Sequence, residues 1–192
     1  KQIPRWFKYF IGKSELHPLI LGTAHPSTDQ EVRDYVCDVS PKSSWIGKPD
    51  KKGVPRNTLY DGELVYFPIG IIQKLLGNLQ SGKPLANSIC LVDWICQSID
   101  DNNSIPTWQH AKERTTSVYS AMTQGQALSA LIRVNKISPS ESVTFAIQRL
   151  CNGFLDGEAL SISLATPNGI KLIETPDKLN SVILNGWVYA LW

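Results

Sequence analysis

The sequence lacks a long apolar run, a strong excess of one charge and any closely spaced pair of cysteines. No apolar stretch reaches the roughly 20 residues that a membrane-crossing helix requires, so we predict no membrane span in this chain. The formal net charge is only +2 and the basic residues are scattered, so the extended positive field that attracts nucleic acid is absent. The composition therefore predicts neither a membrane protein nor a nucleic-acid-binding protein.

The cysteines and histidines show no metal-ligand spacing. They are Cys37, Cys90, Cys96 and Cys151, with His17, His25 and His110. Because no Cys-x-x-Cys pair and no Cys/His cluster occurs, we predict no metal site and no cofactor. We interpret the cysteines as buried thiols, since Cys90 and Cys96 fall in an apolar helical stretch where a free thiol behaves as a small hydrophobe.

The chain does contain enough apolar material for one packed core. It has 192 residues, of which 42% are hydrophobic and 19% are charged, which is typical of a globular protein and not of a disordered one. The N-terminus shows no charged-then-apolar signal pattern, but the first residue is Lys1 and not Met. The compartment is therefore left open, with the secretory or Golgi pathway and a bacterial envelope pathway both compatible.

The chain divides by composition near residue 60. Residues 1–60 mix Pro, Gly, Asp and Ser among short apolar patches, which predicts an irregular N-terminal segment. Residues 61–192 carry helical periodicity and are predicted to form a helical domain.

The middle of the chain has the periodicity of two helices. Pro68 suits a first helical turn, and apolar residues recur three and four positions apart after it. These are Ile69, Ile72, Leu75, Leu76 and Leu79. A second helix is predicted to begin near Pro84, and its apolar residues also follow one stripe. That stripe comprises Leu85, Ile89, Val92, Cys96 and Ile99.

Two more helices follow. The third is predicted over residues 117–136. The fourth is predicted to open at Ser138-Pro139-Ser140-Glu141, which combines an N-cap Ser138, a Pro at the first helical position and the Glu of a capping box. Its buried stripe is Val143, Ile147 and Leu150, and Asn152-Gly153 is the predicted stop.

A β-hairpin and a final apolar segment complete the pattern. Residues 161–165 and 170–173 alternate around Pro167-Asn168-Gly169, a sequence that favours a turn because Asn and Gly tolerate positive φ. Residues 182–192 are apolar and helix-like up to the last residue. We therefore predict a mainly α fold, an incomplete α/α toroid of helical hairpins with a short β-hairpin, cut short at its C-terminus. A homodimer would cover the apolar edge that such a cut exposes.

Three blocks, in the same order along the chain, resemble those of one enzyme family. The first comprises GVP at residues 53–55, YFPIGIIQ at 66–73 and DW at 93–94. The second and most specific comprises YSAMTQGQA at 119–127 and LIR at 131–133. The third is NSVILNGW at 180–187. Together they resemble the D-glucuronyl C5-epimerases, which convert glucuronic acid to iduronic acid within heparan-type polysaccharides.

The resemblance implies a helical toroid that binds an acidic, uronic-acid-containing polysaccharide and exchanges the proton at C5. Epimerisation removes a weakly acidic hydrogen and returns a proton from the opposite face, so two acid/base groups must flank the sugar. From their positions in the matched motifs, Tyr119 and Glu174 are the catalytic candidates. The substrate-binding candidates are Gln124, Gln126, Arg133, Asn185 and Trp108.

Physical reasons accompany the binding candidates. Arg, Asn and Gln can stabilise the negative charge that develops on the sugar carboxylate. Gln126 and Arg133 are seven residues apart and share a helix face, so both are expected to reach one groove. Trp108 and Trp45 lie in polar loop contexts and are candidate platforms for sugar stacking, whereas we assign Trp94 to the core.

Each of these residues also has a structural interpretation. Tyr119 can pack at a helix start with its hydroxyl in water, and Arg133 can pair locally on its helix. Glu174 can cap or pair, and Asn185 can bond the backbone nearby.

The chain also departs from the family pattern. Thr175 stands where the family has a catalytic tyrosine, and the family's remaining tyrosine motifs would lie after Trp192. Whether the chain is an enzyme is therefore left open. The alternatives are a non-catalytic polysaccharide-binding module or inactive remnant, and a polysaccharide lyase, which begins with the same proton abstraction.

Overall fold

The computed structural model describes residues 38–59, 61–110, 117–156, 160 and 162–174. Within them the protein is mainly helical, with four α-helices and two short antiparallel strand pairs. In chain order the elements are a first 3₁₀ helix Ser40–Ser44, β1 Asn57–Thr58, β2 Leu64–Val65, α1 Pro68–Gln80, a second 3₁₀ helix Leu85–Ser88, α2 Ile89–Gln97, α3 Ala121–Ile137, α4 Glu141–Leu155, β3 Ser163–Thr166 and β4 Gly169–Leu172. The predicted helical character is confirmed for these residues. The toroid arrangement stays a prediction, and the predicted final helix lies outside them.

Helix α1 is the buried centre of the fold and begins at Pro68, as predicted. All of its residues are buried except Lys74 and Gln80. It is enclosed because the first 3₁₀ helix, α2 and α3 all pack against it. A helix whose residues are mostly apolar and buried is expected in such a central position.

The first 3₁₀ helix lies directly against α1. A Cβ at Gly77 would lie 2.5 Å from the Val39 carbonyl oxygen, so only glycine allows this approach. Farther along α1, the Gln80 side-chain oxygen accepts a 2.6 Å hydrogen bond from the Val39 amide. Part of the predicted irregular segment is therefore built into the core.

Trp45 follows this 3₁₀ helix and is only 4% exposed. The half-buried Lys74 ammonium donates hydrogen bonds to the carbonyl oxygens of Ser43 and Trp45, which fixes the chain at this point. The prediction that Trp45 is a platform for sugar stacking is wrong, because the ring packs in the main hydrophobic cluster. The polar residues around it in sequence gave no sign of this burial.

The second predicted helix is divided into two elements. Residues Leu85–Ser88 form 3₁₀ helix, and α2 begins only at Ile89. Because a 3₁₀ helix has about 3.0 residues per turn instead of 3.6, the spacing of four from Leu85 no longer keeps one face. Val92 and Ile99 are buried as predicted, but Ile89 is 52% exposed.

Helix α3 begins four residues later than predicted, at Ala121. Its N-cap Ser120 is extended, with φ −145° and ψ 132°. Just before it, the Val118 carbonyl oxygen accepts hydrogen bonds from the amides of Thr107 and Trp108, at 2.7 and 2.8 Å. Residues 117–120 are therefore an extended segment that holds the 106–110 loop, and are not the first turn of the helix.

Helix α4 is capped by Ser140 and not by Ser138. The Ser140 hydroxyl accepts a hydrogen bond from the Val143 amide at 3.4 Å, whereas the Ser138 amide donates to the Val134 carbonyl oxygen and closes α3. The predicted cap was therefore two residues too early. Val143 and Leu150 are buried and Ile147 is half-buried, in agreement with the predicted stripe.

The predicted stop at Asn152-Gly153 is wrong, because α4 continues to Leu155. A Cβ at Gly153 would lie 2.6 Å from the Ser104 hydroxyl oxygen and closer still to the Asn103 carbonyl oxygen. This glycine lets the 99–104 loop approach the helix backbone, so its role is close packing and not termination.

The predicted hairpin is confirmed. β3 and β4 pair antiparallel, with Ser163 opposite Leu172 and Thr166 opposite Gly169 around a two-residue Pro167-Asn168 turn. The hairpin joins the helices through backbone bonds, because the Ile173 carbonyl oxygen accepts from the Ala121 amide at 3.0 Å. The start of α3 is thereby tied to the segment that follows β4.

The other strand pair, β1 with β2, crosses the predicted domain boundary. Asn57 lies opposite Val65 and Thr58 opposite Leu64, so residues on both sides of position 60 form one hairpin. Residues 1–37 lie outside the described part, and the division at residue 60 stays a prediction.

Two of the sequence predictions concern membrane spans and the burial of cysteines, and both can be compared with the described part of the chain. None of its helices is both long and apolar enough to cross a membrane. Cys90 and Cys96 are half-buried, but Cys151 is exposed on α4. The interpretation of Cys151 as a buried thiol is therefore wrong, because position 151 lies on the outer face of an amphipathic helix.

Candidate functional site

A groove of about 650 Å³ lies between the residues that precede α1, the end of α2 and the 106–110 loop. Residues from all three segments line it, among them Tyr66, Trp94, Gln97, Asp100 and His110. Its volume is within the range of about 300–1,000 Å³ that ligand sites usually have. The groove is therefore large enough for one or two sugar rings.

An adjoining depression of about 660 Å³ continues from the groove. Tyr66, Trp94 and Gln97 line both, so these three residues form the junction. The adjoining depression adds Lys51 and Lys52 to the lining. A chain-like ligand can therefore extend from one depression into the other across the junction.

The junction presents two aromatic rings. The ring centroids of Tyr66 and Trp94 are 5.4 Å apart and the planes are tilted by 36°. Tyr66 is 39% exposed, and Trp94 is partly buried on α2 and packs against the main core. The assignment of Trp94 to the core is thus correct for one side of the ring only. Sequence reasoning missed the pair, although both residues lie in the first resembling block.

Asp50 holds Tyr66 in place. Its Oδ2 atom accepts a 2.7 Å hydrogen bond from the Tyr66 hydroxyl. Burial acts to raise the pKa of this carboxyl, but the hydrogen bonds that it accepts, first from Tyr66 and then from two backbone amides, bring the pKa below its ordinary value. The same hydrogen bond, followed by burial, raises the pKa of Tyr66.

The lining is acidic in the groove and of mixed charge in the adjoining depression. Glu63 and Asp100 line the groove, and none of the described residues that line it is Lys or Arg. The adjoining depression has Lys51 and Lys52 together with two aspartates. Of the two depressions, the adjoining one suits an anionic group on a ligand better, because among the described lining residues it alone offers ammonium groups.

Tyr119 does not line the groove and is connected to it by a hydrogen bond to Asp100. The Tyr119 hydroxyl donates to Asp100 Oδ2 at 2.6 Å and accepts from Asn102 Nδ2 at 2.7 Å. The side chain is only 8% exposed, and burial, with the hydrogen bond to Asp100 next, raises the pKa of the phenol. Asp100, which no sequence signal identified, is the residue of this pair that faces the groove.

Glu174 lies near Tyr119 but is turned inward. Burial raises the pKa of its carboxyl, and its Oε2 atom is buried without a hydrogen-bond partner. Its backbone carbonyl oxygen accepts from Trp108 Nε1 at 3.3 Å. Since Trp108 also bonds Val118 beside Tyr119, the structure brings Trp108, Tyr119 and Glu174 together at the start of α3.

Gln124 lies in the interior. Its Oε1 atom accepts from the Ile105 amide at 2.8 Å, and its Nε2 atom donates to the carbonyl oxygens of Ile105 at 3.0 Å and Ser120 at 3.2 Å. All of its described hydrogen bonds thus go to the backbone. In this position Gln124 fixes the 104–107 loop and is not open to a ligand.

Gln126 and Arg133 do not meet in one groove. Gln126 is fully buried between helices, where its Oε1 atom accepts from Gln73 Nε2 at 3.4 Å. Arg133 is half-buried and donates to the Ser129 carbonyl and hydroxyl oxygens one turn earlier on α3. Neither residue lines the groove, and Asn185 lies outside the described residues.

No metal site is found in the part of the chain that the structure describes, since no three His, Cys, Asp or Glu side chains come together there. No protein-family model and no curated protein matches the chain. The functional proposal therefore depends on the geometry of the groove and on the three sequence blocks.

Proposed function

We propose that this protein is a polysaccharide-binding domain resembling the D-glucuronyl C5-epimerases, and that it binds a uronic-acid-containing glycan across Tyr66 and Trp94. The supporting observation is the pair of accessible rings at the junction of the two depressions. A pyranose ring has an apolar C–H face, which packs well on an aromatic face. A platform between two connected depressions suits a chain of sugars better than a single small molecule.

The polar groups around the platform match the other parts of such a ligand. Gln97 and Gln109 line the groove and can donate to and accept from sugar hydroxyls. Lys51 and Lys52 can contact a uronate carboxylate in the adjoining depression. We therefore expect the carboxylate to lie at the lysine end and the hydroxyl-rich ring to lie beside Asp100.

Binding has more support than catalysis. A raised pKa keeps the Tyr119 phenol protonated, which makes it a poorer base at neutral pH. Glu174 has one oxygen buried and does not line the groove. The two predicted catalytic groups are therefore not arranged on opposite sides of a ligand in the groove.

C5 epimerisation is the second candidate function, and one contact favours it. Asp100 lines the groove and accepts a hydrogen bond from the Tyr119 hydroxyl, so a carboxylate linked to a phenol faces a sugar bound there. A lyase would use the same first step, because it also removes the C5 proton.

Titration calorimetry with heparosan and with a neutral glucan tests the binding proposal. Tyr66→Ala should weaken heparosan binding by about twofold to twelvefold, which corresponds to an aromatic contact of about 0.5–1.5 kcal/mol. Phe145→Ala, which removes a ring that is 62% exposed on α4, is the control and should leave affinity unchanged. Equal affinity of Tyr66→Ala and the unsubstituted protein would contradict the proposal.

Deuterium incorporation at C5 in heavy water, followed by NMR, tests catalysis. Incorporation that disappears in Asp100→Asn would support epimerisation, and a rise in ultraviolet absorbance from an unsaturated product would indicate a lyase. Binding without either signal would identify a binding module.

A further inference from the structure

We propose that Asp50 is a positioning residue of the junction between the two depressions, because its single carboxylate both folds the turn that carries Lys51 and Lys52 and fixes the Tyr66 ring beside Trp94. The inference rests on the proposed function for its effect on ligand affinity. Its effect on the geometry of Tyr66 can be measured without any ligand.

The Oδ1 atom of Asp50 closes a backbone turn. It accepts hydrogen bonds from the backbone amides of Lys52 at 2.8 Å and Val54 at 2.9 Å. The Asp50 backbone carbonyl oxygen also accepts from the Gly53 amide at 3.1 Å, and Gly53 has φ +87°, which favours glycine. The side chain thus closes the turn that places the two lysines at the adjoining depression.

The Oδ2 atom of Asp50 accepts the 2.7 Å hydrogen bond from the hydroxyl of Tyr66, which lies 16 residues later in the chain. Tyr66 lies in the extended residues between β2 and α1 and is partly open to solvent. A tyrosine ring in that setting would have several rotamers available, and this hydrogen bond selects the one that lies against Trp94.

One carboxylate therefore links the cationic and the aromatic parts of the junction. The charged groups around it are Arg56, which acts electrostatically on Asp50, and Asp93, which lines the same depression. Tyr66 is the other titratable partner, and ionisation of either partner changes the hydrogen bond between them. A ligand that contacts both Lys52 and Tyr66 would meet a preorganised pair of groups, which lowers the entropy cost of binding.

The first experiment is free of ligand. Tyrosine labelled with carbon-13 at Cζ is titrated by NMR toward alkaline pH, and the Tyr66 signal is assigned by its absence in Tyr66→Phe. We expect the pKa of Tyr66 to lie above that of a free tyrosine and to fall toward it in Asp50→Asn, which keeps an Oδ1 acceptor for the turn. The same Tyr66 pKa in both proteins would overturn the proposed link.

The second experiment is a double-mutant cycle on heparosan affinity with Tyr66→Phe, Asp50→Asn and the double variant. Each single variant should weaken binding by about three- to fivefold, because each removes the same hydrogen bond, and the double variant should be no weaker than either. Asp50→Ala, which also opens the turn, should weaken binding further.

The outcomes separate the two proposals. If Tyr66→Phe and Asp50→Asn bind like the unsubstituted protein while Asp50→Ala is weaker, Asp50 is a turn residue only and the inference fails. If no protein binds heparosan but the NMR titration shows the expected Tyr66 shift, the proposed function fails and the positioning role of Asp50 stands.

Discussion

At the scale of single residues, the Gln124 side chain pairs with the backbone of a loop residue in the way that a neighbouring β-strand would. Its side-chain amide makes a donor bond and an acceptor bond with the backbone of Ile105. Both bonds are buried, so no water is present to replace them. The Ile105 amide therefore depends on a side chain 19 positions away, whereas the Ile105 carbonyl oxygen also accepts from the Thr107 hydroxyl at 3.5 Å.

Gln124→Ala should lower the free energy of unfolding by about 1–3 kcal/mol, because it leaves the buried Ile105 amide without its described partner and the Ile105 carbonyl oxygen with only the hydrogen bond from Thr107. Chemical denaturation monitored by circular dichroism would measure the change. Gln148→Ala, at an exposed position of α4, is the matched control and should change stability by less than about 0.5 kcal/mol. Equal effects of the two substitutions would refute this role for Gln124.

Glu174 should make stability depend on pH. Burial raises its pKa in the folded protein, so the folded state keeps a proton that the unfolded chain has already released. The stability contribution of Glu174 is therefore greatest at low pH and falls as pH rises from about 4.3, the ordinary pKa of glutamate, to the raised value. Glu174→Gln should be more stable, relative to the unsubstituted protein, at pH 7 than at pH 4.

Urea unfolding at the two pH values would test this, with Glu63→Gln at an exposed carboxylate as the control. The interpretation fails if both substitutions change the pH dependence equally.

The sequence predicts poorly where the site residues lie, because their positions depend on contacts between distant segments. Tyr119, Trp108 and Glu174 are brought together by backbone bonds between segments that are far apart in the chain. Composition and spacing carry no information about such contacts. Gln124 and Gln126 are also misleading, because a polar side chain in a helical motif gives no sign that its partners are buried backbone and amide groups.

At the scale of elements, the sequence predicts helix starts and turns well where one or a few local residues determine them. Pro68 fixes the beginning of α1, and Pro167-Asn168-Gly169 fixes the β3–β4 turn. Between α3 and α4 two serines compete for the cap, and both precede apolar residues at suitable spacing. Ser138 precedes Pro139, and a residue before proline is driven out of helical conformation, which is consistent with its ψ of 88°.

Ser140→Ala should destabilise the protein by about 1 kcal/mol, since it removes the N-cap acceptor for the Val143 amide. Ser138→Ala is the natural control, because the Ser138 hydroxyl is not the cap of α4. Thermal unfolding of both variants would measure the difference. A larger loss for Ser138→Ala would restore the capping assignment made from sequence.

At the scale of the whole molecule, α4 positions the wall of the groove. Arg149 donates to Asn103 Oδ1 at 3.0 Å, to the Ile99 carbonyl oxygen at 3.1 Å and to the Asp100 carbonyl oxygen. Gly153, one turn later, lets the same loop pack against the helix backbone. Because Ile99 and Asp100 line the groove, the shape of the site depends on a helix that does not line it.

Gly153→Ala should lower the free energy of unfolding by about 1–3 kcal/mol, because the added methyl group collides with backbone and side-chain atoms of the loop. Asn152→Ala, at the exposed neighbouring position, is the control. Urea unfolding would measure both. A stability gain in Gly153→Ala, as expected for glycine replaced by alanine in an open helix, would show that the loop moves aside easily.

The mainly helical fold, the first helix and the hairpin were therefore predictable, because periodicity and turn residues act locally. Close approaches such as Gly77 to Val39 and Gly153 to the loop were not predictable, because they depend on which surfaces meet. The sequence predicts a helix stop at Gly153, whereas in the structure this glycine allows the 99–104 loop to pack closely.

Asn152 and Gly153 are consecutive residues inside α4, so the rate at which Asn152 deamidates depends on how often this part of the helix unfolds. Asn-Gly pairs deamidate readily through a cyclic imide, but the imide needs a backbone conformation that a helix does not allow. Asn168-Gly169 has the same two residues in an exposed turn. In a stored sample we expect Asn168 to be converted first to a mixture of isoaspartate and aspartate, and the slower conversion of Asn152 to record how often the end of α4 opens.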